Sequence, residues 1–197
     1  DQSQLVRAVA EDPYGFIWVG TESEGVFVLD TEGQEVAQLN EENGKLVSNF
    51  VTEILVDQNE NVWIGQFRGG LHKFSMRRDP TGKPISFASN HFGRKELGNV
   101  DIEDIFQDQT KGIWLASLGG LIRKKDNSDE FQFYSVRWGN EVTQSTDGQI
   151  WLATSMGLYL YDAAGDTLRR YSSEVHPQIN LDKQMFLTIW ADQKGFV

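Results

Sequence analysis

Three histidines, His72, His91 and His176, are the side chains of this 197-residue chain best suited to acid–base work or metal binding near neutral pH. They read as members of different repeats with no partner at metal-ligand spacing. With no cysteine in the chain, the common zinc sites are excluded. His72, on a strand after Gly70-Leu71, is expected to be a satisfied structural histidine. The acidic groups suggest two other chemistries. Asp57, Asn59 and Asn61 resemble the start of a calcium loop, but a strand resumes at Val62 and no Glu holds the twelfth position, so Asp57 is read as a turn former. Glycosidase chemistry needs two carboxyls at a set separation in space. The pairs Glu41-Glu42 and Asp101/Glu103-Asp104 sit where the chain leads into new strands and read as solvated charge. Gly69-Gly70 and Gly119-Gly120 precede strands rather than helices and cradle no phosphate. No catalytic residue, no metal and no cofactor is expected.

The elements that must position any site come from an internal repeat. Trp18, Trp63, Trp114 and Trp151 each close the same phrase: Asp12 to Thr21, Asp57 to Gln66, Asp108 to Ser117, and Ser145 to Thr154, where Ser145 replaces the Asp. Their spacings of 45, 51 and 37 residues match propeller blades of roughly 40–50 residues. In the first three copies an apolar run ends at the Asp. A turn holding Gly or Asn follows, then Ile/Val-Trp-aliphatic, then a Gly (Gly25, Gly70, Gly120, Gly157) that opens a third strand. The runs around Phe87, Phe133 and Tyr171 supply a fourth. Ile17-Trp18-Val19 and Val62-Trp63-Ile64 are apolar without alternation, so both sheet faces must be covered. The fold expected is all-β: a β-propeller of four-stranded antiparallel blades, about four to four and a half of them over residues 1–197. The repeat Trp residues fill the space between blades.

Near residue 185 a fifth repeat begins, with Asp192 and Gly195 in the places of Asp12 and Gly15, and it is cut short. The chain is therefore read as a segment of a larger, seven-bladed ring, and a segment with uncovered ends is expected to associate, for instance as a homodimer. The missing initiator Met suggests a removed leader. Net charge is −11, with Lys and Arg in no long block, which disfavours nucleic acid as a partner. No apolar stretch approaches a membrane span.

The phrase Asp-x-x-Gly-x-Ile-Trp-Val-Gly-Thr at Asp12–Thr21, Gly69-Gly70-Leu71, and the lead-in Gly44-Lys-Leu46-Val-Ser48-Asn49-Phe-Val51, echoed at Leu97-Gly-Asn99-Val100, together resemble the two-component regulator propeller repeat. That resemblance implies a sensory propeller outside the inner membrane, periplasmic or extracytoplasmic. It would bind a small molecule or oligosaccharide and signal to a cytoplasmic histidine kinase or diguanylate cyclase through parts outside this chain. The segment itself is then no enzyme. The alternatives are a propeller enzyme acting on glycans as lyase or hydrolase, and a protein-interaction scaffold.

Blade topology places the ligand. The loop between the second and third strands and the lead-in to the next blade emerge on one face, and these loops vary between repeats while the Asp turn is restated, a pattern suited to recognition. The rim residues expected to bind are Thr21, Glu22, Asn49, Gln66, Phe67, Arg68, Asn99, Ser117 and Ser155, with Phe50 nearby. Their mixture suits sugar hydroxyls or a carboxylate-bearing oligosaccharide.

Overall fold

The computed structural model describes residues 4–80, 84–124, 129–172 and 184–190. These form four antiparallel sheets of four strands, each in simple sequential order. The first blade is β1 (Val6–Glu11), β2 (Ile17–Thr21), β3 (Val26–Leu29) and β4 (Glu35–Leu39). The second is β5 (Val51–Val56), β6 (Val62–Gln66), β7 (Gly70–Arg78) and β8 (Pro84–Phe92), followed by α1 (Arg94–Leu97), the only helix among the described residues. The third is β9 (Ile102–Gln107), β10 (Ile113–Ser117), β11 (Gly120–Lys124) and β12 (Phe131–Ser135). The fourth is β13 (Gly139–Gln144), β14 (Ile150–Thr154), β15 (Gly157–Asp162) and β16 (Thr167–Tyr171). The all-β expectation holds, and the architecture is a partial β-propeller of about four blades. Two compact units divide the chain, residues 1–102 with the first two blades and 103–197 with the other two. Asp192 and Gly195 of the expected fifth repeat, and His176, lie outside the described residues.

Unbroken apolar runs become strands with no wet face. β6, β10 and β14 are buried at every position; β2 is looser, with Ile17 and Val19 half-buried. In the first unit Trp18, Val26, Val28 and Leu39 pack with Val51, Ile54, Ile64 and Phe74 of the neighbouring blade. The Trp18 ring meets Phe87 edge-on at 6.0 Å. In the second unit Trp114 and Tyr134 pack with Val142, Ile150 and Leu152. Trp18 and Trp114 thus fill inter-blade space within their units, as expected of large rings at a sheet–sheet contact.

The Asp turns form, but with a different residue at the strained position. Gly15 (φ 80°) and Gly148 (φ 88°) take the left-handed conformation in the first and fourth copies, whereas in the second and third it falls on Glu60 (φ 63°) and Lys111 (φ 72°), not on Asn61 or Gly112. Asn61 instead donates its side-chain amide to Asp57 Oδ2 at 2.9 Å. Gly112 is required by space: a Cβ there would sit 2.6 Å from Asp108 Oδ2.

Candidate functional site

Each blade has two ends, and they differ in kind. At the turn end, the Asp carboxylate binds backbone amides of its own turn with one oxygen and the repeat indole with the other. Asp57 Oδ1 accepts from Asn59 and Asn61 N–H, both at 2.8 Å, and Oδ2 accepts Trp63 Nε1–H at 2.8 Å. The same indole bond measures 3.2 Å for Asp12–Trp18 and 2.7 Å for Asp108–Trp114. This tie goes beyond the turn expected from the sequence, although the constant spacing of six between Asp and Trp signals it. In the fourth blade Ser145 Oγ takes the Trp151 indole at a longer 3.3 Å and donates its own proton to Asp147 Oδ1.

At the rim end, the β2–β3 type loops and the lead-ins do come together, joined by backbone bonds. Gly25 N–H donates to Asn49 O at 3.1 Å, Phe67 to Phe50 O at 3.0 Å and Gly70 to Val100 O at 2.9 Å in the first unit; in the second, Trp138 donates to Leu118 O at 2.9 Å and Ser155 to Trp138 O at 3.1 Å. Gly25 and Gly70 are obligatory here, because a Cβ on either would lie 2.2–2.3 Å from the carbonyl of Leu39 or Phe92.

Several of the expected rim residues have their polar groups committed within the protein. Thr21 and Ser117 are buried, and their hydroxyls donate to Gly25 O at 2.9 Å and Gly120 O at 3.0 Å, closing their own loops. Gln66 replaces that hydroxyl in the second blade; it is wholly buried, donates to Ser48 O, and leaves Oε1 without a partner. Asn49 is committed to the lead-in, its Oδ1 accepting Glu41 N–H at 2.8 Å while its own N–H donates to Glu41 Oε1 at 2.7 Å. Asn99 Oδ1 accepts Asp101 N–H at 2.6 Å, and Ser155 Oγ accepts from Asn140 Nδ2 at 3.3 Å. Glu22 is half-buried beside β1, donating its N–H to Leu5 O at 3.0 Å.

Phe67 and Arg68 remain available, and the structure adds to them. Phe67 and Phe50 meet at 5.4 Å, Arg68 lies 5.0 Å over Phe67, and Arg7 lies 5.0 Å over Phe50. Both guanidinium side chains are exposed. Arg68 holds φ 60°, a conformation costly for a residue with a Cβ. Arg7 escaped sequence reading because it depends on a β-bulge: pairing of β1 with β2 shifts between Val6 and Ala8, which re-aims the intervening side chain. The bulge recurs at Thr52 and Asn140, where it serves structure; Thr52 Oγ1 donates to Ile102 O at 2.6 Å and Asn140 Nδ2 to Phe186 O at 2.7 Å. On the rim of the second unit the missed residue is Trp138, exposed and at φ 55°. Its signal was a tryptophan outside the repeat register.

Two further readings need correction. Asp104 is not simply solvated: it is half-buried and accepts Val142 N–H at 2.8 Å, and burial pushes its carboxyl up to about 6. His72 and His91 belong to one blade, directly opposite each other on β7 and β8 with ring centres 4.6 Å apart. Nor is His72 satisfied, since it is buried with neither ring nitrogen hydrogen-bonded.

A cleft of about 510 Å³ opens at the turn end of the second unit, between the third and fourth blades, walled by Arg123, Gln144, Asp147, Tyr161 and Arg169. In the first unit the longer hairpin of β7 and β8 carries Arg78 to the same end of the seam, where it meets Asp12 Oδ2 at 2.6 Å and lies 4.2 Å over the Tyr14 ring.

A β-propeller with an Asp–Trp tie in each regular blade and a variable rim is the class these features define. The family profile described as two component regulator propeller matches residues 2–23, the first copy of the phrase. The first copy of the phrase is thus similar to a two-component regulator propeller repeat. Among solved structures, the chain is similar to the extracellular domain of BT3049 from B. thetaiotaomicron, described as a hybrid two component system: 25% identity over 98% of this chain and 26% of that one, with TM-score 0.70. It is similar also to the extracellular domain of BT4673 from the same organism, described as a one component system, at 22% identity over 96% of this chain and 25% of that one, TM-score 0.73. Virginiamycin B lyase from Staphylococcus aureus shares the fold at 13% identity over 87% of this chain and 57% of that one, TM-score 0.60. The chain spans about a quarter of the length of the first two. No curated protein sequence matches it.

Proposed function

We propose that this chain is a ligand-sensing segment of an extracytoplasmic propeller in a membrane-anchored bacterial signalling protein, and that its rim binds an acidic oligosaccharide. The likeness to extracellular domains of proteins described as hybrid and one component systems supports the sensor reading. The observation that carries the ligand class is the rim of the first unit. Two half-buried phenyl rings form an apolar patch against which a pyranose ring can pack, and Arg7 and Arg68, lying over them, bring donors in the fork geometry that suits carboxylates. Exposed Trp138 supplies a comparable platform on the second unit. The rest of the rim is closed by its own hydrogen bonds and so presents this cluster on a rigid edge. Ligand occupancy would be passed to a cytoplasmic output domain elsewhere in the protein.

Calorimetry with uronate-containing and neutral oligosaccharides of equal length tests this reading. The acidic series should bind, and Arg7→Ala with Arg68→Ala should weaken it at least about tenfold, the loss of one charge-assisted contact or more. Equal affinity for the two series, or no loss in the double variant, contradicts it.

A further inference from the structure

We propose that His72 and His91 form a two-imidazole clip for a borderline divalent transition metal such as Cu²⁺, Ni²⁺ or Zn²⁺. The two residues face each other across an antiparallel pair, where opposed Cβ atoms stand about 4.5–5.5 Å apart and point to the same side. Imidazole nitrogens suit these ions. Each ring is prepared in a different way. His91 Nε2 lies 2.7 Å from Gly69 O, an atom that can only accept, so Nε2 carries the proton and the Nδ1 lone pair is left for a ligand. Fixing a ligating histidine through a carbonyl on its far nitrogen is the usual outer-shell arrangement at metal sites.

His72 is 4% exposed, and neither of its nitrogens has a hydrogen-bond partner, a costly state for a buried imidazole that coordination would relieve. Burial and the neighbouring His91 hold it neutral, down to a pKa of about 4, so no proton competes for it near neutrality. On the same sheet face, Gln66 Oε1 is buried and unpartnered, an acceptor for a water in the open coordination positions. This face packs against the first blade through Ile64 and Phe74, so a bound ion would sit at the edge of an apolar seam, with exposed His91 as its path in. Neither Thr21, Ser117 nor Thr154 is followed by such a pair; the second blade alone combines Gln66 with two histidines.

Calorimetric titration of the intact chain with CuCl₂, NiCl₂ and ZnCl₂ near neutral pH, with electron paramagnetic resonance of the copper form, provides the test. The expected result is one site per chain whose copper spectrum shows hyperfine coupling to two imidazole nitrogens. His91→Ala should weaken binding at least about tenfold, since loss of a ligand exceeds the loss of an outer-shell partner. His91 is exposed, so that variant folds even if His72→Gln does not. His176→Ala should leave the site intact. Unaltered affinity in His91→Ala, coupling to a single nitrogen, or several weak equivalent sites of the kind a −11 surface provides adventitiously would overturn the clip.

Discussion

The turn end and the rim end of these blades follow opposite rules. At the turn end the same bond is made again in each of the first three blades, a buried carboxylate on an indole N–H at 2.7–3.2 Å. At the rim the equivalent positions hold Thr21, Gln66, Ser117 and Thr154; three close their loops with a hydroxyl, and the fourth is an amide with an idle oxygen. Restated chemistry holds the sheets together, while chemistry that appears once is where recognition is to be sought. Arg7, Phe50, Phe67, Arg68 and the His72–His91 pair all belong to the second kind.

The largest effect should come from the restated end. Trp63→Ala empties a wholly buried ring position and is expected to cost about 3–5 kcal/mol in a denaturant series. A subtler comparison uses the blade that breaks the rule. Trp114→Phe leaves the Asp108 carboxylate short of a buried donor, whereas Trp151→Phe removes only a long bond to Ser145, so the first should cost about 1–2 kcal/mol more than the second. Equal costs would mean that the indole is held by packing alone.

Between about pH 4 and 6.5 the units should respond with opposite sign. His72, lowered by burial to about 4, is neutral in the fold and protonated in the unfolded chain over that window, so its contribution is lost as pH falls. Asp104, raised by burial to about 6, holds its proton in the fold where the unfolded chain has released it, so its contribution is lost as pH rises from about 4 to 6. Stability–pH curves of His72→Leu and Asp104→Asn should therefore diverge from the parent in opposite directions. The smallest effect belongs to the rim and the exposed surface: Arg68→Ala and Trp190→Ala, the latter residue 75% exposed, should each shift stability by no more than about 0.5 kcal/mol.

Blade number, strand order, the Asp turns and the meeting of loops with lead-ins were all legible in the sequence, because period, turn chemistry and unbroken apolar runs are local properties. What escaped needed registry between distant residues. His72 and His91 stand nineteen positions apart and meet only through the exact pairing of β7 with β8. Arg7 reaches Phe50 because a bulge adds one residue to β1. Thr21 and Ser117 looked like rim donors, since residue type alone does not tell a hydroxyl that faces solvent from one that closes its own turn.

Amide chemical-shift mapping of the isotope-labelled chain with an acidic oligosaccharide separates the two ends most directly. Saturable shifts are expected on the rim of the first unit, at Arg7, Glu22, Phe50, Phe67 and Arg68, with the turns at 12–16, 57–61 and 108–112 unmoved. Shifts centred on those turns, or on the cleft beside Arg123 and Tyr161, would contradict it.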